Sequence, residues 1–286
     1  MFFIKALSKM KSLELEQNKF ARIILNLYSV WWKCYGDKFK NNKDYPLLQR
    51  EYAEKSQQNK IKCDRESIPY IEITPLYRKA SGGLLFVNCN PSGTDYNYYK
   101  DKNSKTPTDC LYYENPNNRY FTEVERFAKN VGGDDFENFA MIDVFPIVIQ
   151  NQDNLKRAFT KSIKENNSGM GEAFKCLINI FLKIVVIIEP KIVVVTNAFV
   201  KNLITNDFKN LGLVEINADD ENVCYNVKIK KKNGYFETTV FCGGMIAGGH
   251  QMDTESKKRL VRDVKRFFCK IVQRFSSKNH SLNYPH

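Results

Sequence analysis

Apolar positions divide the chain into two regions with different periodicity. From Leu13 to Phe39 they recur at helical spacing, and a polar stretch rich in Lys, Gln and Asn follows to about Arg65. From Gly83 onward, short β-rich apolar runs alternate with helical ones. This pattern predicts a mainly helical N-terminal extension over residues 1–80, an α/β domain over residues 81–275 and a flexible tail over residues 276–286.

Strands and helices are expected to alternate in the second region. A hairpin is predicted at Lys232-Asn233-Gly234, because Asn-Gly favours a tight turn. The alternation indicates an α/β fold of the doubly wound kind, with a central, mostly parallel four-stranded sheet flanked by helices. The predicted strands are Leu84–Cys89, Phe139–Phe145, Ile192–Thr196 and Phe236–Cys242, and the predicted helices lie near Arg119–Asn130, Gly171–Ile188, Ala198–Ile204 and Thr254–Arg274.

Polar, turn-forming residues follow three of the predicted strands. They are Asn88–Gly93 after the first, Asp143–Pro146 after the second and Gly243–His250 after the last. Ligands of an open parallel sheet bind beyond the carboxyl ends of its strands. We therefore expect these segments to converge at one edge, although the Asn90-Pro91-Ser92-Gly93 segment on its own is only a turn.

Two side chains in these segments have both a structural and a functional interpretation. His250 precedes Asp253, a predicted N-cap of the helix starting at Thr254, and the helix dipole there would favour an anion beside the imidazole. The alternative is a loop histidine that is hydrogen-bonded for stability. Asp143 either caps a neighbouring loop or faces the ligand crevice.

Charge and cysteine content narrow the class of protein. With 44 Lys and Arg against 32 acidic residues, the net charge is +12, which favours a polyanionic partner, although biased composition alone can also produce it. The Lys228–Lys232 run and the Lys/Arg-rich final helix are solvated faces or, beside the crevice, phosphate contacts. Eight cysteines without a Cys-x-x-Cys pair indicate reduced thiols, no zinc site and a cytoplasmic location, and no apolar run is long enough to span a membrane.

The order of these motifs resembles the uracil-DNA glycosylase superfamily over about Gly83 to Arg274. The similarity is to branches whose first motif reads Gly-x-Asn-Pro-Gly or Gly-x-Asn-Pro-Ser. Asn118-Arg119-Tyr120-Phe121 also resembles the Asn-Arg-Phe-Trp segment of the mismatch-specific branch. The chain departs from the pattern with Asn88 for the first Gly, His250-Gln251-Met252 for His-Pro-Ser, and Asp143 for the Asn of uracil-specific members.

The resemblance implies a monomeric, monofunctional DNA glycosylase that needs neither metal nor cofactor. It would flip a base from double- or single-stranded DNA and hydrolyse the N-glycosidic bond, leaving an abasic site. An ionised Asp143 accepts hydrogen bonds only, so it suits the exocyclic amine of cytosine, and a protonated one could donate to the adjacent ring nitrogen. Since excising normal cytosine would destroy the genome of the cell, we expect a modified cytosine, as in superfamily members that act against phage DNA.

Each expected role falls on named residues. The predicted catalytic residues are Asn90, which positions water, His250, which stabilises the departing base, and Asp95, a second choice for proton removal. Met252 is either a wedge entering the DNA or a packing residue. The predicted base-recognition residues are Asp143, Tyr113, Tyr112 and Phe145, and the predicted DNA contacts are Ser92, Gln251, Met252, Lys257 and Lys258.

Three other functions remain open from the sequence. One is a glycosylase that repairs uracil or mismatches, and another is a DNA-binding module that keeps the fold without catalysis. The third, a nucleoside-processing enzyme, lacks support because the chain has neither a phosphate-binding loop of the Lys-Ser/Thr type nor a Gly-x-Gly-x-x-Gly motif.

Overall fold

A computed structural model of the chain describes residues 83–89, 119–134, 136–145, 152–164, 169–246 and 251–280. In the N-terminal region it describes six helical residues, which are Ile23, Leu27, Val30, Trp31, Cys34 and Tyr35. Several predicted site residues lie outside the described residues, so their roles stay predictions. They are Asn90, Ser92, Asp95, Tyr112, Tyr113 and His250.

Six strands and five α-helices make up the part of the chain with described elements after residue 83. The strands are β1 (Leu84–Asn88), β2 (Phe139–Asp143), β3 (Ile192–Val195), β4 (Val214–Asp219), β5 (Cys224–Lys230) and β6 (Tyr235–Cys242). The helices are α1 (Arg119–Gly132), α2 (Gln152–Lys164), α3 (Met170–Ile188), α4 (Ala198–Asn202), which continues as a π-helix over Leu203–Phe208, and α5 (Thr254–His280).

The strands form one sheet in the order β2-β1-β3-β6-β5-β4. β1, β3 and β6 are parallel, and β2 joins them in the same direction, because Leu84 N–H donates to Asn138 O and Val144 N–H donates to Asn88 O. β4 and β5 are antiparallel additions beside β6. The expected α/β fold with flanking helices is confirmed, but the expected count of four strands is wrong, since the sheet has six.

The hydrophobic pattern explains why the parallel strands were predicted and why the two antiparallel strands were not. Every residue of β3, and all of β1 except Asn88, is buried, as is typical of strands covered on both faces. In β4 and β5, by contrast, buried residues are mixed with half-buried and exposed polar ones. The predicted hairpin between β5 and β6 is confirmed, with Lys231 N–H donating to Gly234 O over 2.9 Å and Gly234 at φ 90°.

The chain divides into two compact units, each built from separate segments. Unit 1 comprises residues 1–78, 88–114 and 141–188, and unit 2 comprises residues 79–87, 115–140 and 189–286. In unit 1 the indole Nε1 of Trp31 donates to Ala173 O in α3 over 3.0 Å. Trp31 is buried, so this part of the predicted N-terminal extension packs on a helix of the predicted α/β domain.

Unit 2 contains β3 to β6 and the helices α1, α4 and α5. α1 packs on the sheet through an edge-to-face contact of Phe127 with Phe86, and α5 through a similar contact of Phe267 with Phe241. α5 continues to His280, beyond the predicted domain boundary at residue 275. In the described residues no helix is long and apolar enough to cross a membrane.

Candidate functional site

The sheet has a topological switch point between β1 and β3. From β1 the chain goes to β2 on one side and then returns to β3 on the other. Such a point opens a crevice for ligands at the carboxyl ends of the two strands. In unit 2 this end is fixed by Thr196, which follows β3, since Val87 O accepts from Thr196 N–H at 3.1 Å and from Thr196 Oγ1 at 3.4 Å.

The first turn of α1 reaches the same place. Tyr120 and Thr196 share a hydrogen bond of 3.1 Å between their hydroxyls, and Thr196 is only 1% exposed. The next residue, Asn197, is also buried and caps α4 by accepting from Phe199 N–H and Val200 N–H. Sequence reasoning ended a strand at Thr196 and missed both roles. The signal that could have indicated these roles was the polar Thr-Asn pair between an apolar strand and a helix.

The segment after β6 is called the closed segment, because the residues at its two ends, Met245 on one side and Gln251 and Met252 on the other, are bonded to each other. Met245 and Gln251 form an isolated parallel bridge, and Met252 N–H donates to Met245 O over 2.7 Å. The side-chain Oε1 of Gln251 accepts from Arg119 Nη2 in α1 at 3.2 Å. Gln251, a predicted DNA contact, is therefore held by the first residue of α1, next in sequence to the predicted catalytic His250.

An ion pair joins α1 to α5, and its lysine also contacts Ile246 in this segment. Lys257 pairs with Glu123, which also pairs with Arg126, and Lys257 Nζ donates to Ile246 O at 3.3 Å. The Lys257 side chain is 24% exposed, and burial, together with the nearby Arg119, lowers its pKa. Lys257 thus has a structural role beside its predicted role as a DNA contact.

Lys258, the other predicted DNA contact on this turn, is differently placed. Its ammonium pairs with Glu255 at 2.8 Å, and both side chains are largely exposed. The hydrogen bond to Glu255 raises the pKa of Lys258. Lys258 is therefore a charged group in solvent, and its contact with DNA stays a prediction.

The predicted N-cap of α5 is confirmed. Asp253 Oδ1 accepts from Ser256 N–H at 2.8 Å, and α5 begins at Thr254. Hydrogen bonds from Ser256 lower the pKa of Asp253. The capping carboxylate therefore keeps its negative charge against the positive end of the helix dipole.

Met252 packs against the two glycines that follow β6. A Cβ atom at Gly243 would lie 3.3 Å from Met252 Sδ and 2.6 Å from Leu260 Cδ2, and one at Gly244 would lie 2.8 Å from Met252 Cγ. The two glycines therefore leave room that Met252 and Leu260 fill. This position favours the packing role for Met252 over insertion into DNA.

Unit 1 holds the predicted base-reading residue. Asp143 ends β2 and is only 8% exposed, and the adjacent Val144 N–H donates to Asn88 O over 3.0 Å. Burial and the Asp143 carboxylate raise the pKa of the Cys89 thiol well above its ordinary value. The carboxylate therefore lies close to Cys89, in the segment that leads directly into Asn90.

The predicted role of Phe145 in base recognition is not supported by its position. Its side chain is fully buried, and its ring centroid lies 5.7 Å from that of Phe159 in α2 and 5.5 Å from that of Phe174 in α3. Phe159 and Phe174 contact each other in turn. Because the ring is enclosed by these neighbours, no face is open to a base, and Phe145 is a core residue of unit 1.

The Lys228–Lys232 run lies away from the carboxyl edge. Lys230 pairs with Tyr235, where β6 begins, whereas the closed segment at Met245 follows the end of β6. The strand from Tyr235 to Cys242 spans roughly 23 Å, at about 3.3 Å per residue. The position of this run therefore favours a solvated face over phosphate contacts beside the crevice.

These contacts define an α/β protein whose candidate site in unit 2 lies at the carboxyl end of the parallel strands. In the described part of the chain, no group of three or more His, Cys, Asp or Glu residues could hold a metal ion, and all six described cysteines are free. The chain matches no protein-family model and no curated protein.

Proposed function

We propose that the protein is a DNA glycosylase that removes a modified cytosine whose exocyclic amine is retained for recognition. One observation carries this proposal. The segment with the Arg119-Tyr120-Phe121 motif is bonded through Tyr120 to the residue after β3 and through Arg119 to the segment that follows β6. Both bonds lie at the sheet end where α/β proteins bind ligands.

The segment that follows β6 carries the predicted catalytic His250, and the described residues on both sides of positions 247–250 have defined contacts. Its ends are held by the Met245–Gln251 bridge, by Arg119 on Gln251 and by Lys257 on the Ile246 carbonyl. In the proposed reaction His250 and the N-terminus of α5 stabilise the charge that develops on the departing base. Asn90 positions the water that attacks the oxocarbenium-like sugar, with Asp95 as a candidate for removing its proton.

Base choice is assigned to Asp143. A carboxylate that is nearly excluded from solvent makes stronger electrostatic contacts than an exposed one, because the surrounding dielectric is low. As an acceptor, Asp143 would bind the exocyclic amine of cytosine and disfavour the carbonyl that uracil has there. Action against modified viral DNA is one setting in which this choice would not endanger the cell.

The test is base release from defined oligonucleotides. Single- and double-stranded DNA carrying uracil, cytosine or one of several modified cytosines is incubated with the full chain, and alkali-labile sites are counted. We expect such sites with at least one modified cytosine, and a rate that falls about 10² to 10³-fold in His250→Ala. Release from no substrate, with DNA binding intact, would instead identify a non-catalytic DNA-binding module.

The base-reading role of Asp143 needs a matched control. Asp143→Asn is compared with Asp220→Asn, the same chemical change at an exposed position in the β4–β5 turn. We expect Asp143→Asn to change the ranking of substrates while DNA affinity and thermal stability stay close to those of the control. An unchanged ranking in a folded Asp143→Asn protein would refute the assignment.

A further inference from the structure

α5 presents a basic face to solvent. We call this surface the α5 basic face, and its residues, all exposed, recur mostly every three or four positions along the helix. They are Arg259, Arg262, Lys265, Arg266 and Lys270.

The core determines which side of α5 is exposed. Leu260 and Val264 are buried, and Leu260 lies close to Gly243 while Phe267 contacts Phe241. Because these residues recur at helical spacing, the cations between them are directed away from the sheet. The charged side of the helix is therefore fixed by packing on the strands.

Few acidic groups neutralise this face. Arg262 is 3.3 Å from Asp263, and Lys270 donates to Asn222 at 3.2 Å. No ion pair joins Arg259, Lys265 or Arg266 to an acidic residue of the described segments. A positive potential consequently extends along the outer side of the helix.

We propose that the α5 basic face binds the phosphate backbone of duplex DNA. From Arg259 to Lys270 the helix rises roughly 16 Å, at about 1.5 Å per residue. Phosphates of one DNA strand follow at about 3.4 Å along the duplex axis, so this length corresponds to about five of them. The choice of DNA among polyanions rests on the proposed function.

The start of α5 links this surface to the candidate site. Asp253 caps the helix shortly after Gln251, which Arg119 holds. A strand that follows the α5 basic face toward the helix N-terminus would reach the carboxyl end of the sheet, where the base is handled in the proposed reaction. The face thus provides affinity without reading sequence.

A membrane surface fits this face less well. Helices that lie on membranes combine a basic side with an exposed apolar side that enters the lipid. In α5 the apolar side is used for packing, and Val272 is its one exposed large hydrophobic residue among those with described side chains. Charge complementarity without apolar surface favours DNA.

The test compares two triple variants of the full chain. Arg259→Gln, Arg262→Gln and Arg266→Gln are combined in one protein, and Lys230→Gln, Lys231→Gln and Lys232→Gln in the other, so both lose three charges. Binding to an unmodified duplex of about 30 base pairs, enough for the roughly 16 Å contact, is measured by fluorescence anisotropy over a salt series. Thermal melts establish that both variants are folded.

We expect the α5 variant to have a shallower salt dependence, with the negative slope of log K against log salt reduced in magnitude by about 2.7, or 0.9 for each phosphate that the protein no longer neutralises. The hairpin variant should keep the slope of the original protein. Equal reductions in both variants would show that only net charge matters and would overturn the proposal, as would an unchanged slope in the α5 variant. Preferential binding to vesicles containing anionic lipid, abolished in the α5 variant, would also overturn it.

The same duplex separates this inference from the proposed function. It carries no modified base, so binding is measured without base release. Loss of binding in the α5 variant with no base release from any substrate would leave the α5 basic face standing and refute the glycosylase. Base release by a protein whose DNA binding does not depend on α5 would support the glycosylase and refute the role of the α5 basic face.

Discussion

The ends of the parallel strands are built differently in the two units. In unit 1, Asp143 is nearly excluded from solvent and lies close to the buried thiol of Cys89, in a unit whose core contains three packed phenylalanine rings. In unit 2, Arg119, Glu123 and Lys257 form a polar connection between α1, α5 and the segment after β6.

This difference separates two requirements of the proposed reaction. A buried carboxylate in a dry environment selects a hydrogen-bonding partner, because a wrong partner leaves a polar group unsatisfied. Partly exposed ion pairs and hydrogen bonds hold loops in place, and they remain favourable when the charged phosphate backbone of DNA is nearby. Four substitutions test whether unit 1 depends on apolar contacts and unit 2 on polar ones.

The largest effect is expected in unit 1. Phe145→Ala removes a fully buried ring from contact with Phe159 and Phe174 and should lower the free energy of unfolding by about 3–5 kcal/mol. Phe145→Leu, which keeps most of the apolar volume, should cost much less. Denaturant unfolding measures both. A loss below about 1 kcal/mol for Phe145→Ala would contradict its role in the core.

Breaking the ion pair in unit 2 should have a smaller effect. Lys257→Met removes the ammonium from Glu123, which keeps Arg126 as a partner, and should cost about 1–3 kcal/mol. The control is Lys258→Met on the same turn, whose pair with Glu255 is exposed and should matter little. Equal unfolding midpoints for the two variants would show that the Lys257 pair contributes nothing specific.

Tyr120→Phe removes one hydrogen bond at the switch point. The buried Thr196 hydroxyl loses a partner, and the expected loss is about 0.5–1.5 kcal/mol in thermal unfolding. Tyr235→Phe, at the exposed start of β6, provides the matched control and should leave the melting temperature unchanged. If the two substitutions are equivalent, the contact between α1 and Thr196 is dispensable.

The smallest effect concerns pH. Because hydrogen bonds from Ser256 lower the pKa of Asp253, the cap stabilises the fold above the ordinary carboxyl pKa of about 3.9. That stabilisation disappears as the pH falls through the lowered pKa. Asp253→Asn also caps a helix but carries no titrating group, so its melting temperature should fall less steeply between about pH 5 and pH 2. Parallel pH profiles would exclude this contribution.

The parallel part of the sheet was predictable because burial on both faces requires continuous apolar sequence. Ile192–Val195 is such a run, and it lies where it was expected. β4 was missed although Glu215, Asn217 and Asp219 alternate with its apolar residues, which is the pattern of a strand with one solvated face, and β5 was missed because its lysines and asparagine suggested a solvated run. α2 was missed for a similar reason, since few of its residues are apolar.

The candidate site could be predicted only in part, because several of its contacts join residues that are far apart in the chain. The cap at Asp253 was predictable, because capping depends on residues three positions apart. No local pattern indicated that Arg119 would bind Gln251, 132 residues away, or that Phe145 would be enclosed by α2 and α3. Both depend on packing between elements, which periodicity does not encode.

Among the strands of the described segments, β4 forms one border of the sheet, with β5 beside it. Such a border has backbone groups that can recruit a strand from another molecule. Glu215 and Asp219 place negative charge along it, and Glu215 lies opposite Lys228 of β5. The charged and polar residues that alternate along β4 therefore disfavour the pairing of this border with a strand of another molecule.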